Sequence, residues 1–471
     1  MRWIVRGALL VLLSFANLNL IWSPDVLPNT LFAWTLVGSG NVDYDEFATV
    51  SPTDERPDRI DRTAYFFRGC AHLAQGQEVF TTTPRSAGGP PPPLPGEHVC
   101  SIFPPGIAIL ALPILLPAVL LGVPASDATS LLLLGHLVAS ILEAIVALVL
   151  WSVFRRFVSA RWSVGLVLLY LLATSVRTVA SQALWQHAGV HLAIAAALWL
   201  MLDERAVSAG RAFLAGLALG LGTVARQTTA VVAAGIVSRR TFMRTVAGFG
   251  IGIVPLLVYN AFAFGDPFEQ GYGTKPFDTP MLTGLYGLLL SPSRGLLVYA
   301  PYLAFAIAAL VLAWRRRGHV AARLRGLGIV AFATLLLYAT YTEWWGGRVF
   351  GARFLDDQAP ILFVALAWGI GQGLLSRALW RRLFWIAAAW SLLLFNAAAL
   401  VYDQTWDTAP VNVNFHPEKL FDWGDPQWLA VLRALPSGGA RAAIGLALSF
   451  CIVALLLRLE GVWPRRLSSS T

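Results

Sequence analysis

Apolar runs recur along almost the whole sequence and are separated mainly by short basic segments. Hydrophobic residues make up 57% of the chain and charged residues only 13%, a composition that excludes a soluble globular protein. A helix needs about 20 predominantly apolar residues to cross a bilayer, so the runs predict an all-α, polytopic helical membrane protein with about twelve transmembrane helices. We expect the crossings near residues 3–22, 128–154, 162–181, 187–202, 211–225, 227–238, 245–264, 296–314, 326–341, 359–376, 383–402 and 441–459.

The distribution of charge orients these crossings. Of the 35 basic residues behind the formal net charge of +9, 21 fall on the side that this topology assigns to the cytoplasm, against three acidic residues. This is the positive-inside pattern, and it does not indicate nucleic-acid binding. If residues 107–122, which contain Pro113 and Pro117, also crossed, every later basic cluster would lie outside. We therefore expect 107–122 to be an outer interfacial helix, both termini to be cytoplasmic, and the first run to be retained rather than cleaved as a signal peptide.

The chain is predicted to form two membrane modules. The N-terminal module, 1–264, carries a long catalytic outer loop, 23–104, ahead of the interfacial helix. The C-terminal module covers 265–471. Its outer loops are expected at 265–295, 342–358 and 403–440.

The first outer loop contains a dense group of carboxylates. Asp43, Asp45 and Glu46 lie within residues 41–47, a segment that we call the acidic knot. Carboxylates this close together repel one another, and acidic pairs of this kind serve as general bases or metal ligands. A solvated acidic loop is the alternative.

Further polar residues collect at the predicted outer ends of the crossings. Cations in such places are costly unless an acid or an anionic ligand is nearby, which favours a binding site. The candidate substrate-binding residues are Asp43, His187, Arg226, Arg294, Trp344, Arg348 and Arg353. Each has an ordinary alternative: a tryptophan in a membrane-interface belt, a histidine at a helix end, or an arginine paired with a loop carboxylate. Taken together, an acidic knot, several cations and exposed aromatic rings at one membrane surface suit a site for a lipid phosphate and a sugar.

Two other groups of residues are considered. Glu143 lies inside a predicted crossing, where we expect it to bond within the helix bundle; a proton site is the alternative. Cys70 and Cys100 both lie in the first outer loop, and no cysteine spacing is typical of a metal site. In an oxidising compartment the two cysteines can form a disulfide, with a pair of free, buried thiols as the alternative.

Several short motifs follow one another along the chain. The acidic pair Asp45-Glu46 comes soon after the first helix, and Phe103-Pro-Pro-Gly106 ends the first outer loop. They are followed by Trp185-Gln-His187, Arg226-Gln-Thr228, Ser291-Pro-Ser-Arg294 and Trp344-Trp-Gly-Gly347. In this order the sequence resembles the GT-C class of polytopic glycosyltransferases, of the type of the protein O-mannosyltransferases and the lipid A aminoarabinose transferases. Phe103 stands where the family motif has His or Lys before Pro-Pro.

This resemblance implies a mechanism. Asp45 would be the catalytic base that takes a proton from the acceptor hydroxyl, and Glu46 would orient the acceptor or the sugar. The hydroxyl would attack the anomeric carbon with inversion, while arginines stabilise the leaving lipid phosphate. No cofactor is expected; a divalent cation on the Asp43-x-Asp45 pair is the less favoured alternative.

The resemblance also implies a biological setting. The protein would be a hexosyl or pentosyl transferase of the bacterial cytoplasmic (inner) membrane, with its site on the periplasmic or extracellular side. Its partners would be a polyprenyl-phosphate-linked sugar donor, a glycan, lipid or protein acceptor, and the lipid bilayer, in the assembly of a cell-envelope glycan. A transporter or flippase of a lipid-linked glycan is the alternative, and an assembly factor without activity is a third possibility.

Overall fold

The protein is mostly α-helical. The computed structural model describes residues 2–17, 19–21, 24–49, 60–61, 64–70, 93, 97–273 and 275–462. The helices in these ranges are α1 Arg2–Phe15, α2 Leu27–Gly38, α3 Gly106–Leu120, α4 Ala128–Phe154, α5 Ala160–Leu172, α6 His187–Met201, α7 Ala209–Ala225, α8 Ala230–Ile236, α9 Phe242–Phe264, α10 Met281–Leu290, α11 Leu296–Tyr299, α12 Ala304–Ala313, α13 His319–Thr340, α14 Arg353–Asp356, α15 Ala359–Gly371, α16 Ala378–Val401, α17 Thr405–Thr408, α18 Gln427–Ala434 and α19 Gly439–Leu459. The strands are β1 Ala48–Thr49, β2 Ile60–Asp61, β3 Phe67–Gly69 and β4 Val99–Ser101.

The long helices have the dimensions of membrane spans. Among the described residues, five helical stretches are long and apolar enough to cross a bilayer: α4, α9, α13, α16 and the stretch Gln427–Leu459, which contains α18 and α19. Eight shorter apolar helices of 10–17 residues accompany them. Each crossing predicted from the sequence contains a helix, so the polytopic helical fold is confirmed.

Part of the predicted outer loop 23–104 is a buried helix. α2 packs against α3 and buries Leu31, Phe32 and Trp34. The indole N–H of Trp34 donates to the carbonyl of Val123, just beyond α3, at 2.9 Å. With 12 residues, α2 is shorter than a crossing needs, and for this reason its apolar stretch was not predicted as a helix.

The first outer loop is held together by a β-hairpin and a disulfide. β3 pairs with β4 in antiparallel register, with Arg68 opposite Cys100. The predicted Cys70–Cys100 bridge is present, with Cα atoms 5.6 Å apart. The backbone N–H of Tyr44 donates to the carbonyl of Val99 at 2.8 Å, which joins the acidic knot to β4.

α3 covers the region predicted as an interfacial helix. It contains Pro113 and Pro117 and packs against α2, α6 and α7. At its start the chain runs backbone to backbone against α7, because a Cβ on Gly106 would lie only 2.4 Å from the amide nitrogen of Ala225. Its interfacial position stays a prediction.

Close packing also joins α7 to α9. A Cβ on Gly216 would lie 2.0 Å from the carbonyl oxygen of Thr245, and one on Gly248 would lie 2.0 Å from that of Phe213. Small residues allow two helix backbones to approach in this way inside a membrane. The pair α7–α9 therefore gives the end of α7, where Arg226 follows, a rigid support.

Candidate functional site

Two groups of charged side chains lie at helix ends that the sequence predicts on the outer side. The first is the acidic knot. Asp45 accepts a hydrogen bond from the backbone N–H of Val99 at 2.7 Å, and its other oxygen lies 2.5 Å from Nδ1 of His98. Asp43 Oδ2 is 3.8 Å from the same nitrogen. The knot is thus bound to the start of β4, through a histidine that the sequence analysis did not select.

An aromatic anchor fixes the knot to the protein core. Tyr44 is buried between the two aspartates, and its hydroxyl donates to the carbonyl of Pro28 on α2 at 2.8 Å. Its ring centroid lies 5.7 Å from that of Phe67 on β3. α2 and the hairpin therefore form a rigid base for the knot, in which Asp45 is exposed and Asp43 and Glu46 are partly buried.

The surroundings change the proton affinities of the knot. Burial raises the pKa of Glu46, and burial together with the charge of Asp45 raises the pKa of Asp43. The hydrogen bond to Asp45 raises the pKa of His98. One ligand atom from each of Asp43, Asp45 and His98 lies within 4.8 Å of the others, a donor set that suits a divalent cation. Because the same contacts also form Asp–His ion pairs without a metal, we assign no cofactor to them.

The second group lies where four distant parts of the chain meet. We call it the arginine cluster: Asp25, His187, Arg226, Arg353 and Asp357. Nδ1 of the fully buried His187 lies 2.7 Å from Asp357 Oδ1, and Arg353 Nε donates to Nε2 of His187 at 3.2 Å. Arg226 Nη1 lies 3.2 Å from both ring nitrogens and 3.4 Å from Asp357 Oδ2. These bonds favour the neutral imidazole that donates to Asp357 and accepts from Arg353.

Aromatic rings enclose both arginines. The guanidinium carbon of Arg226 lies 5.2 Å from the ring centroid of Phe354, and Arg226 Nη2 donates to the hydroxyl of Tyr338 at 3.0 Å. The guanidinium carbon of Arg353 lies 5.2 Å from the ring centroid of Trp185. Each arginine keeps a small exposed fraction, 12% for Arg226 and 11% for Arg353. A partly desolvated guanidinium that remains accessible is well suited to bind an anion.

Asp25 completes the arginine cluster and was not selected from the sequence. It lies on the 3-10 turn Pro24–Val26, shortly after α1, and its Oδ2 accepts from Arg353 Nη1 at 3.1 Å. The hydroxyl of Tyr65 also donates to Asp25. A lone carboxylate directly after the first predicted crossing was the signal that could have indicated it.

Asp357 is held as an anion by its neighbours. Burial opposes its ionisation, yet Arg226 and His187 hold the pKa of this carboxyl well below its usual range. The sequence analysis missed Asp357 because it was read as part of a loop that carries Arg348 and Arg353. In the arginine cluster, two cations therefore pair with two carboxylates around one neutral histidine.

The residue before Asp357, the buried Asp356, takes part in a second network. The hydroxyl of Ser175 donates to Asp356 Oδ1 at 2.7 Å, and His191 Nε2 lies 2.9 Å from the carbonyl oxygen of Asp356. His191 Nδ1 is 2.8 Å from Glu143, which also accepts from the hydroxyl of Tyr170. Glu143 therefore bonds within the helix bundle, as expected. His187 and His191 are one helical turn apart, so both imidazoles lie on the same face of α6, toward the 342–358 loop.

Arg294 and Trp344 shape the same loop from inside the protein. Arg294 has no exposed surface, pairs with Asp407 at 2.6 Å, and donates to the carbonyls of Trp345 and Gly347. Trp344 is also buried, and its ring packs against the Cα of Gly287. Neither side chain joins the arginine cluster. Arg294 instead holds the backbone of the 342–358 loop. The carbonyl of Gly346 in this loop accepts a hydrogen bond from Arg353, so Arg294 stabilises the cluster indirectly.

Arg348 differs from the other arginines of the loop. It is exposed, and within the described part of the chain no hydrogen bond or ion pair engages its side chain. It follows two glycines in the left-handed region, Gly346 and Gly347, with φ values of 74° and 80°. This glycine turn holds Arg348 outside while Arg353 reaches inward.

Comparisons with known proteins give one structural similarity. No protein-family model and no curated protein matches this sequence. Among solved structures, the chain is similar to the crystal structure of ArnT from Cupriavidus metallidurans bound to undecaprenyl phosphate. The two chains are 13% identical, the alignment covers 97% of this chain and 77% of that one, and the TM-score is 0.48. The similarity concerns the path of the chain, and the function proposed below rests on the residues of the site.

Proposed function

We propose that this protein is an integral-membrane glycosyltransferase of the bacterial cytoplasmic membrane. It moves a hexose or pentose from a polyprenyl-phosphate donor to an acceptor hydroxyl at the outer face. The acceptor is a glycan, a lipid or a protein. The observation that carries the proposal is the convergence of Arg226 and Arg353 on His187, next to a carboxylate, at helix ends predicted on the outer side.

The arginines supply what a phosphate leaving group needs. When the bond between sugar and phosphate breaks, negative charge accumulates on the phosphate oxygens, and fixed cations in a partly dry site stabilise it strongly. Arg226 and Arg353 are held in position by His187, by aromatic rings and by the Gly346 carbonyl before any ligand arrives. Exposed Arg348, on the same loop, supplies a further cation for the phosphate or for the sugar.

Two carboxylates are candidates for the general base. The sequence resemblance selects Asp45, with Glu46 beside it, and this stays a prediction. The contact of Asp25 with Arg353 adds a second candidate that lies in the arginine cluster itself. A phosphate that takes over the guanidinium of Arg353 would release Asp25 from its ion pair. The freed carboxylate could then accept the proton of an acceptor hydroxyl as it attacks the anomeric carbon.

The proposal also explains why the cluster is buried but not closed. The phosphate must be kept away from bulk water, since exclusion of water strengthens every charge interaction in the site. The lipid tail of the donor, in contrast, must remain in the bilayer. A cluster at the outer helix ends meets both requirements, because α6, α7 and α15 all begin or end there.

Transfer by purified protein tests this function. Full-length protein in detergent is incubated with a panel of polyprenyl-phosphate sugars and a hydroxyl acceptor, and release of polyprenyl phosphate is measured. We expect release with at least one sugar, and a loss on the order of 10²–10³-fold in kcat for Arg226→Gln, typical of a lost electrostatic contact in the transition state. Arg433→Gln, an exposed arginine on α18 outside the cluster, is the matched control and should behave as the parent protein.

Two results would contradict the proposal. Equal losses in Arg226→Gln and Arg433→Gln would show that the cluster has no special part in transfer. Movement of an intact lipid-linked sugar across a vesicle membrane, without release of polyprenyl phosphate, would favour the flippase alternative.

A further inference from the structure

A cavity lies at the opposite end of α15 from the arginine cluster. It has a volume of about 260 Å³ and opens between the end of α12 and the turn that joins α15 to α16. Its lining includes Leu312, Arg316, Gln372, Ser376, Arg377 and Trp380. α15 has 13 residues, so roughly 20 Å of helix separates this cavity from Asp357. By the predicted topology it faces the cytoplasm.

The cavity offers positive charge that the protein does not neutralise. Arg316 and Arg377 are exposed, and within the described residues no hydrogen bond or ion pair involves either guanidinium. Arg377 is also the residue before α16, a 24-residue helix whose first backbone N–H groups have no partner within the helix. The partial positive charge of this helix end adds to that of the two arginines.

Two of the three carboxylates predicted on the same side are engaged elsewhere, and the third, exposed Glu204, lies beside Gly318 without a described ion pair to either cavity arginine. Asp203 pairs with Arg211 at 3.0 Å, and Glu460 pairs with Arg6 at 2.7 Å. An anion from outside the chain is therefore the natural partner for the cavity arginines.

The remaining lining indicates what kind of anion fits. Gln372 and Ser376 offer neutral hydrogen-bond donors, which suit phosphate oxygens. Leu312 and the half-exposed Trp380 form an apolar border on the membrane side, the position that tryptophan takes at the level of lipid head groups. The anionic lipids of a cytoplasmic leaflet give it a negative surface potential that attracts basic residues close to it.

We propose that this cavity binds the phosphate head group of an anionic phospholipid in the inner leaflet. The phosphate lies between Arg316 and Arg377 at the start of α16, and the acyl chains leave past Trp380 and Leu312. This site is separate from the donor site proposed above and does not depend on it. It fastens the turn between α15 and α16 to the membrane.

The experiment counts lipid bound to the purified, full-length protein by native mass spectrometry. Delipidated protein in a neutral detergent is titrated with phosphatidylglycerol and, in parallel, with phosphatidylcholine. We expect one phosphatidylglycerol to bind at concentrations where phosphatidylcholine does not. The double variant Arg316→Gln/Arg377→Gln should bind it about tenfold more weakly or worse, since each cation near a lipid head group contributes measurably.

Two matched variants distinguish a specific lipid-binding site from nonspecific electrostatic attraction of anionic lipid to the basic inner face. Arg315→Gln/Arg381→Gln removes the same charge from the same two helix ends but leaves the cavity lining intact, and it should change binding less than twofold. Ser376→Trp fills the cavity and keeps the charge, and it should weaken binding as much as the double arginine variant. None of these residues belongs to the arginine cluster, so transferase activity in detergent should persist in all of them.

Three outcomes would overturn the inference. If the two double variants weakened phosphatidylglycerol binding equally, the binding would depend only on the overall charge of the inner face. Unchanged binding in Ser376→Trp would place the lipid elsewhere. Displacement of the lipid by glycerol 3-phosphate would assign the phosphate site to a soluble molecule and not to a membrane lipid.

Discussion

The acidic knot and the arginine cluster contain similar kinds of side chain in opposite arrangements. In the knot, Asp43, Asp45 and Glu46 are close in sequence, and they are exposed or partly buried beside the disulfide-bonded hairpin. In the arginine cluster, Asp25, His187, Arg226, Arg353 and Asp357 come from four separate parts of the chain and meet in a nearly buried space. In the knot, charge that is dense in the sequence stays partly accessible to water, most of all at Asp45, whereas in the cluster charge that is dispersed in the sequence is concentrated in space.

This difference bears on catalysis. Each charged group of the cluster gains strength from its partial removal from water, and each is held by two or more partners. The described contacts of the knot carboxylates are local or made to the start of β4: Asn41 donates to Asp43, and His98 and the N–H of Val99 bind Asp45. A comparison of the two regions by substitution therefore decides which carboxylate performs the chemistry.

The largest effect is expected for the general base. Asp25→Asn should lower turnover by roughly 10²–10⁴-fold, the usual cost of removing a general base, whereas Asp45→Asn should lower it by less than about tenfold. Both changes keep the side-chain shape, and the measurement is single-turnover transfer with saturating donor. The reverse order would restore Asp45 as the base and reduce Asp25 to a partner of Arg353. Retained donor binding in both variants is the control for folding, and it should be at least as tight in Asp25→Asn because the ion pair that competes with the phosphate is lost.

A second prediction distinguishes an arginine that stabilises the fold from an arginine that takes part in transfer. Arg294→Gln leaves Asp407 as a buried carboxylate without its cation, and breaking such a pair costs about 3–5 kcal/mol. We expect a clearly lowered thermal unfolding temperature. Arg353→Gln should instead lower transfer with a smaller loss of stability, because its side chain is partly exposed. If both variants lost stability equally, the distinction between the two roles would fail.

The disulfide tests whether the hairpin matters for the knot. The bridge closes a loop with a sequence separation of 30, and its loss should destabilise the first outer loop by about 3–4 kcal/mol. Cys70→Ser/Cys100→Ser should therefore be cleaved faster by protease in that loop. Transfer should fall only a few-fold, since the arginine cluster does not include the hairpin. A loss as large as that of Asp25→Asn would place the hairpin in the catalytic centre.

The smallest effect concerns pH. Asp45 raises the pKa of His98 above its usual value, so the His98–Asp45 contact stabilises the folded loop fully at pH values below the usual pKa of histidine. This contribution is lost as the pH rises through the raised pKa. We expect protease sensitivity of the first outer loop to increase modestly over that range in the parent protein and to stay flat in His98→Gln. A flat profile in both would show that the pair adds nothing, as exposed ion pairs often do.

The helices were more predictable than the site. Long apolar runs must form helices in a bilayer, because their backbone groups have no other partners there, and this holds for α4, α9 and α16 whatever their packing. α2 was not predicted, because its 12 residues are too few for a membrane crossing and the crossings were predicted from the length of apolar runs. His187, Arg226 and Arg353 were selected because a cation or histidine at a helix end is unusual in a membrane protein.

Their partners could not be found in the same way. Asp25 is a single acid in its segment and Asp357 is one of an adjacent pair with Asp356, and only the fold brings them to Arg353 and Arg226. In the same way, nothing in the local sequence distinguishes exposed Arg348 from Arg294, which has no exposed surface. The difference arises from the glycine turn at 346–347 and from Asp407, far along the chain.

The contact at Gly106 limits how the site can open. The segment that precedes α3 lies between two backbones: Gly106 touches the end of α7, and a Cβ on Gly271 would lie 2.1 Å from the carbonyl oxygen of Ile102. The rings of Phe103 and Tyr272 also pack together, with centroids 5.7 Å apart, so we expect residues 102–106 to move together with the Arg226 turn and the 266–273 loop. Any gate that admits a lipid-linked sugar must therefore move on a different hinge. In hydrogen–deuterium exchange, these three segments should open together or not at all.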